Sequence, residues 1–185
     1  PQIRTVNIGG GLPVAYQEGS SLPTPAQFAQ TLLSLLKGYS IILEPGRSII
    51  ADAGILVTEV LYVKHQAGQR IIIVDASMTE LIRPALYQAK HTIVPLIQAH
   101  GALSPAEVVG PVCESADTLG HDVLLPEIRP GMKLALLTTG AYGMVMASNY
   151  NARTRPAEIA VMKDGETWQI ARRRETWEDL IRLEP

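Results

Sequence analysis

The chain has 185 residues, of which 46% are hydrophobic, and a formal net charge of −2. That is enough apolar content for one good core, or for part of one domain joined to another. A charge so near neutrality offers no field for nucleic acid or an anionic membrane, and no apolar run is long and charge-free enough to span a bilayer or direct secretion.

Pro1 stands where an initiating methionine would, only a few residues ahead of a strand-like run, so the chain is expected to be a carboxyl-terminal fragment. The run Val6-Asn7-Ile8-Gly9-Gly10-Gly11 is β-branched and apolar and closes in three glycines. Without Cβ atoms such a loop lets backbone amides approach an anion, although a plain strand-to-helix turn reads the same way. A helix follows, with Thr24 as N-cap, Pro25 at its first position, apolar recurrence at Phe28, Leu32, Leu35 and Leu36, and Gly38 as the stop after Lys37. The next strand-like run ends in Glu44-Pro45-Gly46-Arg47, which supplies a carboxylate, a glycine amide and a guanidinium within four residues. Strand, glycine loop, helix, strand is the order of two neighbouring parallel strands, and it opens both loops at the carboxyl ends, where ligands bind in α/β sheets and barrels. Paired in this way, Gly9, Gly10 and Gly11 with Glu44, Pro45, Gly46 and Arg47 read as half of a phosphate-and-ring cofactor site.

An apolar stretch over 48–61 leads into Tyr62-Val63-Lys64, and helical periodicity then largely stops. Short Val-, Ile- and Leu-rich runs at 70–74, 91–97, 107–112, 133–137, 157–162 and 167–172, divided by Gly, Pro, Asp and Ser turns, predict an antiparallel sheet or barrel. The chain closes in a helix over 176–183, capped by Thr176, with Trp177, Leu180 and Ile181 on one face. The fold class is therefore α/β plus β, with a boundary near 54–64 that divides the chain into 1–58 and 59–185.

Several residues in the second part could carry chemistry. The lone cysteine, Cys113, cannot form an internal disulfide, which fits a reducing cytoplasm. It sits where a strand gives way to a turn with Glu114 adjacent; a cysteine there is usually inert packing, but a turn could bring both side chains to one pocket. Arg83 and Tyr87 offer a guanidinium and a phenol four residues apart, with an ordinary surface turn as the alternative. Tyr142, flanked by glycines at a strand end, is freed from packing on both sides or is a core tyrosine. His65, His91, His100 and His121 lack metal-ligand spacing, Arg172-Arg173-Arg174 reads as a solvated strand end, and Asp117 and Asp122 as turn caps.

The ordered motifs Val6-Asn7-Ile8-Gly9-Gly10-Gly11-Leu12, Glu44-Pro45-Gly46-Arg47-Ser48, Leu81-Ile82-Arg83-Pro84-Ala85-Leu86-Tyr87, Gly110-Pro111-Val112-Cys113-Glu114-Ser115 and Gly140-Ala141-Tyr142-Gly143, backed by Ser148-Asn149-Tyr150-Asn151 and Arg172-Arg173-Arg174-Glu175-Thr176, closely resemble the diaminopimelate decarboxylase family of fold-type III enzymes. The resemblance implies the last part of a pyridoxal-phosphate-binding (β/α)8 barrel followed by a β-sandwich or barrel domain, decarboxylation of meso-2,6-diaminopimelate to lysine, and pyridoxal 5'-phosphate as cofactor. It further implies that Gly9, Gly10, Gly11 and Gly46 bind the phosphate, with Pro45 and Arg47 beside them, that Glu44 faces the pyridine nitrogen, and that Tyr142 contacts cofactor and substrate. Arg47, Arg83 and Tyr87 match positions that bind the substrate's distal carboxylate, Glu114 the one that answers its ammonium, and Cys113 the proton donor, the last two reaching the site of a partner subunit in a homodimer. The chain departs from the family at Leu12-Pro13-Val14-Ala15-Tyr16, where another glycine is common, and in Asp75-Ala76-Ser77-Met78-Thr79-Glu80. None of Lys37, Lys64, Lys90, Lys133 or Lys163 lies in the motif of the Schiff-base lysine, so the chain alone is expected to be inactive. A sister decarboxylase acting on ornithine, arginine or carboxynorspermidine, and a non-catalytic regulatory relative, are the alternatives.

Overall fold

A computed structural model describes residues 3–17, 19–98 and 100–185; Pro1 lies outside them. β1 (Thr5–Asn7) and β2 (Ser40–Ile42) pair in parallel with Val6 opposite Ile41, and α1 (Pro25–Leu35) is the crossover between them. The helix begins where its sequence says it should: Thr24 Oγ1 accepts the Gln27 amide at 3.2 Å and Gln27 Oε1 accepts the Thr24 amide at 2.8 Å, a reciprocal cap, with Pro25 at the first position. Gly38, at φ +91°, takes the left-handed turn that ends it. No residue of α1 is buried. After β2 the chain enters α2 (Gly46–Ile50) and a 3-10 turn over Ala51–Ala53.

From Leu56 onward the chain builds a six-stranded sheet from β3 (Leu56–Gln66), β4 (Gln69–Val74), β5 (Ile93–Pro95), β6 (Ser104–Val109), β7 (Thr118–Leu125) and β8 (Lys133–Leu136), with α3 (Arg83–Tyr87) between β4 and β5. Its strand order is β5-β8-β3-β4-β6-β7. Ala67 and Gly68, both at positive φ, turn β3 into β4 with Gln66 opposite Gln69, the tight hairpin that matches strand twist. Alternate residues point inward, and Ile72, Val74, Val108, Leu119, Leu134 and Leu136 form the centre of one buried cluster. The two end strands curl toward each other, since a Cβ on Gly120 of β7 would come within 2.9 Å of Ile93 Cδ1 on β5. The sheet is nearly closed.

Three expectations about this sheet need correction. It is mixed, not antiparallel, because β4 and β6 pair in parallel with Ile72 opposite Val108. β6 runs earlier than 107–112: Gly110 donates to the Asp117 carbonyl at 3.0 Å and Val112 to Asp117 Oδ2 at 2.8 Å, so the backbone from Gly110 onward is spent on a turn and not on a ladder. β7 was unforeseen. Asp122, expected to cap a turn, lies inside it, where the strand is irregular in the β6 register and the Asp122 amide donates to Glu107 Oε1 at 3.2 Å.

The remainder forms a hairpin of β9 (Glu158–Val161) and β10 (Trp168–Arg172), then α4 (Trp177–Ile181). Arg173 forks onto Asp179 at 2.5 and 2.6 Å while Asp179 Oδ2 accepts the Thr176 amide at 2.8 Å, and the guanidinium holds that carboxyl well below the usual range. Arg172 pairs with Glu158 at 2.5 Å, so two of the three consecutive arginines are tied within the chain.

Candidate active site

The glycine loop and the Glu-Pro-Gly-Arg turn lie side by side. Ile8 donates to the Ile42 carbonyl at 3.1 Å and Glu44 to the Gly9 carbonyl at 2.8 Å, extending the β1–β2 pairing into the loops. A Cβ on Gly10 would stand 2.9 Å from the Glu44 carbonyl, so close an approach that only glycine fits. Gly9 and Gly11 are at φ +69° and +91°. Asn7 Nδ2 donates to Glu44 Oε1 at 2.6 Å while Asn7 Oδ1 accepts the Gly9 amide at 2.8 Å, so one side chain fixes both the carboxylate and the loop. Among the described residues no acceptor takes the Gly10 and Gly11 amides, whereas the Gly46 amide is donated to the Glu44 carbonyl at 2.8 Å.

A second cluster gathers around Arg83 at the start of α3. Only 6% of this residue is exposed, and among the described residues no carboxylate pairs with it and its Nε finds no acceptor. Three ring faces surround the guanidinium instead: Tyr16 at 5.1 Å, Tyr142 at 5.4 Å and Tyr87 at 5.8 Å from centroid to Cζ. Arg47 lies over the same Tyr142 ring at 5.5 Å. Tyr142 thus joins the turn after β2 to the sheet's own arginine, and it does so from a left-handed backbone, φ +62°. A bulky residue holds that conformation only where its surroundings impose it, and such positions gather at binding sites.

What imposes it is a weld between two glycines. A Cβ on Gly140 would fall 2.1 Å from the Ile50 carbonyl oxygen and one on Gly54 would fall 2.6 Å from Gly140 Cα. The bare backbones are close enough for Gly140 to donate to Ala51 at 2.9 Å and Thr139 to Gly54 at 2.8 Å. The segment from Thr138 to Gly143 is thereby anchored on the end of α2, which brings Tyr142 within reach of Arg47.

Cys113 and Glu114 stand elsewhere, on the turn between β6 and β7. Buried Asp117 organises it, with Oδ1 accepting the Met78 amide at 2.7 Å and Oδ2 that of Val112 at 2.8 Å. Burial pushes the Asp117 carboxyl up, against the pull of those two amides. At the tip Cys113 is exposed, and Glu114 Oε2 accepts a hydrogen bond from the Tyr150 hydroxyl at 3.2 Å, which with the neighbouring charge raises the Tyr150 phenol.

Residues 19–140 match the family model of the pyridoxal-dependent decarboxylase C-terminal sheet domain. The chain belongs to that family. It is 45% identical to the diaminopimelate decarboxylase of Helicobacter pylori over 98% of its own length and 45% of that protein's. The crystal structure of the Helicobacter pylori enzyme complexed with L-lysine superimposes with a TM-score of 0.87 at 45% identity, covering 98% of this chain and 44% of that one. The M. jannaschii enzyme, also in complex with L-lysine, gives a TM-score of 0.89 at 35% identity over 100% and 44%. The chain spans slightly less than half the length of the curated relatives it matches.

Membership in a pyridoxal-dependent family implies pyridoxal phosphate as the cofactor. The loop fits that group: two open amides on left-handed and Cβ-free backbone suit a phosphate, and the Glu44 carboxylate held by Asn7 beside them suits a protonated ring nitrogen. The structure thus brings Gly9, Gly10, Gly11, Glu44, Pro45 and Gly46 together, and separately Arg47, Arg83, Tyr87 and Tyr142, whereas Cys113 and Glu114 form a third group joined to neither by any described contact. Asn7, Tyr16 and Tyr150, which the sequence motifs contain without assigning them a role, each touch a residue singled out from the sequence. Among the described residues no helix is long and apolar enough to cross a membrane.

Proposed function

We propose that residues 1–185 form the carboxyl-terminal part of a cytoplasmic, homodimeric decarboxylase that converts meso-2,6-diaminopimelate to L-lysine, with residues 1–58 ending a (β/α)8 barrel and residues 59–185 forming the β domain. The observation that carries this reading is buried Arg83 with Arg47 across the Tyr142 ring: among the described residues no carboxylate pairs with either guanidinium, so both are open to an anionic ligand group, and a forked carboxylate contact is what arginine provides best. A substrate with an amino-acid head at each end supplies that carboxylate at its distal end.

Bound pyridoxal phosphate supplies an acceptor for the electrons left when CO2 departs. Gly10 and Gly11 would hold its phosphate through their amides, with Gly9 shaping the loop and Pro45 and Gly46 beside it, and Glu44 would keep the ring nitrogen protonated. Arg47, Arg83, Tyr87 and Tyr142 bind and orient the distal carboxylate, and Glu114, steadied by Tyr150, answers the distal ammonium. Cys113 Sγ holds the proton that returns to carbon. Exposure of Cys113 and the separation of its turn from the Arg83 cluster support a site shared between two protomers, each lending Cys113 and Glu114 to the other. An exposed thiol fits the reducing cytoplasm.

The lysine that carries the cofactor comes from outside residues 1–185. Release of CO2 from meso-2,6-diaminopimelate tests the reading: the chain alone with pyridoxal phosphate is expected to release none, and the polypeptide that joins it to a lysine-bearing barrel to release it from diaminopimelate but not from ornithine. Turnover by the isolated chain, or preference for ornithine, overturns it.

A further inference from the structure

We propose that Tyr16 and His91 are positioning residues that set the direction of the Arg83 guanidinium, and through it the grip on the substrate's distal carboxylate; the inference rests on the role given to Arg83 above. Among the described residues no carboxylate stands beside Arg83 and its Nε finds no acceptor, so the contacts that aim it there are ring faces. Of its three rings, Tyr87 and Tyr142 are exposed, and Tyr16 makes the shortest approach at 5.1 Å. Tyr16 is the most covered of the three. Among the described residues its buried hydroxyl has no hydrogen-bond partner, and the ring makes the contact with Arg83.

Tyr16 is itself braced. The His91 ring meets it edge-on, 4.9 Å between centroids at 76°, and His91 Nδ1 donates to the Leu137 carbonyl at 2.9 Å, which fixes both tautomer and ring plane. The Tyr16 carbonyl accepts both the Thr92 amide at 3.1 Å and the Thr92 hydroxyl at 2.9 Å, and Leu137 donates to the Thr92 carbonyl at 2.9 Å. The segment that leaves the glycine loop is therefore sewn to Thr92, between His91 and β5. Cofactor loop and substrate arginine share one rigid connection, Gly11 through Tyr16 to Arg83.

The test uses the cofactor-loaded enzyme containing residues 1–185, with L-lysine and pentane-1,5-diamine as competing ligands followed by cofactor absorbance. L-Lysine keeps the carboxylate that Arg83 would grip, and the diamine has none. Tyr16→Leu is expected to weaken L-lysine binding about tenfold and raise KM for diaminopimelate in parallel, the scale of a desolvated cation–π contact, with kcat within about twofold and diamine and cofactor binding unchanged. Tyr16→Phe, which keeps the ring, is expected to match the wild type. His91→Leu should follow Tyr16→Leu, and His91→Asn, whose amide can still donate to Leu137, should restore most of the affinity. If Tyr16→Leu fails to hold cofactor, the two His91 variants carry the same comparison. Equal weakening of lysine and diamine, unchanged lysine affinity in both leucine variants, or a Tyr16→Phe loss equal to that of Tyr16→Leu overturns the inference. A wild-type enzyme that neither binds L-lysine nor turns over diaminopimelate would instead overturn the functional reading.

Discussion

The βαβ unit that ends at Ala53 and the sheet that begins at Leu56 reach order by different means. In the first, caps, a proline, a left-handed glycine and three-residue strands fix the backbone, yet neither α1 nor α2 buries a residue. In the second, Ile72, Val74, Val108, Leu134 and Leu136 are wholly buried and the ladder carries the shape. The contrast explains where a site can form. Local signals place the glycine loop and Glu44, the packed sheet places Arg83 and Tyr142, and the two halves meet at a seam of backbone contacts with Arg47 and Tyr16 reaching across. Neither half holds the cluster alone.

Gly140→Ala attacks that seam directly. The added carbon would lie 2.1 Å from the Ile50 carbonyl oxygen, with the Gly54 amide at 2.9 Å on the other side, and backbone cannot step aside as a flexible side chain does. A loss of about 2–3 kcal/mol is expected from urea unfolding of the full polypeptide, together with loss of activity. Gly68→Ala, on an open hairpin turn remote from the seam, is the control and should leave activity intact. An unaffected Gly140→Ala enzyme would mean that the halves are not welded there.

The two halves also differ in how legible they were. Thr24, Pro25, Phe28 and Gly38 mark α1 because capping and periodicity act within a few residues, and the glycine and Glu-Pro-Gly-Arg turns announce their own conformations. β6 was misframed because Val112 extends the apolar run past the point where a buried Asp117, five residues on, takes its amide. β7 went unseen because an irregular strand containing Gly120 and Asp122 has no clean alternation, and the parallel pairing of β4 with β6 joins segments more than thirty residues apart. Likewise the partners of the site, Asn7 for Glu44 and Tyr16 for Arg83, are set by tertiary proximity. The only trace of Tyr16 was an aromatic residue five positions beyond the glycine loop.

Arg83→Met separates binding from stability at the seam. KM for diaminopimelate should rise roughly a hundredfold, the loss of a forked charge-assisted contact of about 2–3 kcal/mol. The urea midpoint should hold or rise, because a buried cation with no carboxylate among the described residues costs stability and a thioether fits among aromatic rings. Unfolding would show Arg83 to be structural.

A smaller effect follows from His91 alone. Burial pushes its imidazole below the ordinary value of 6.5; the Leu137 hydrogen bond opposes this and the nearby Arg83 adds to it. The unfolded chain therefore takes a proton near pH 6.5 that the folded chain refuses until the pH is lower. Stability from this group is complete above 6.5 and is lost as pH falls below it, by about 1 kcal/mol for each unit in that window. Urea midpoints at pH 7.5 and 5.5 should fall further for the wild type than for His91→Asn; equal falls would mean that the imidazole is not held neutral.

The mildest change tests the turn that stands apart from both halves of the cluster. Tyr150→Phe removes the hydroxyl that steadies Glu114 at 3.2 Å, and because both side chains are exposed, water replaces most of what is lost. KM for diaminopimelate should rise about threefold with the urea midpoint unchanged. Relieved of its acceptor role toward Tyr150, Glu114 samples more rotamers, so the cost falls on aiming the carboxylate and not on the fold. The sharper outcome lies in mixed dimers: if each protomer lends this turn to the other, one Tyr150→Phe protomer beside one Arg83→Met protomer leaves one site carrying both changes and the other carrying neither. Such a mixture would show a fraction of sites at wild-type KM, whereas a turn that serves its own protomer would leave none.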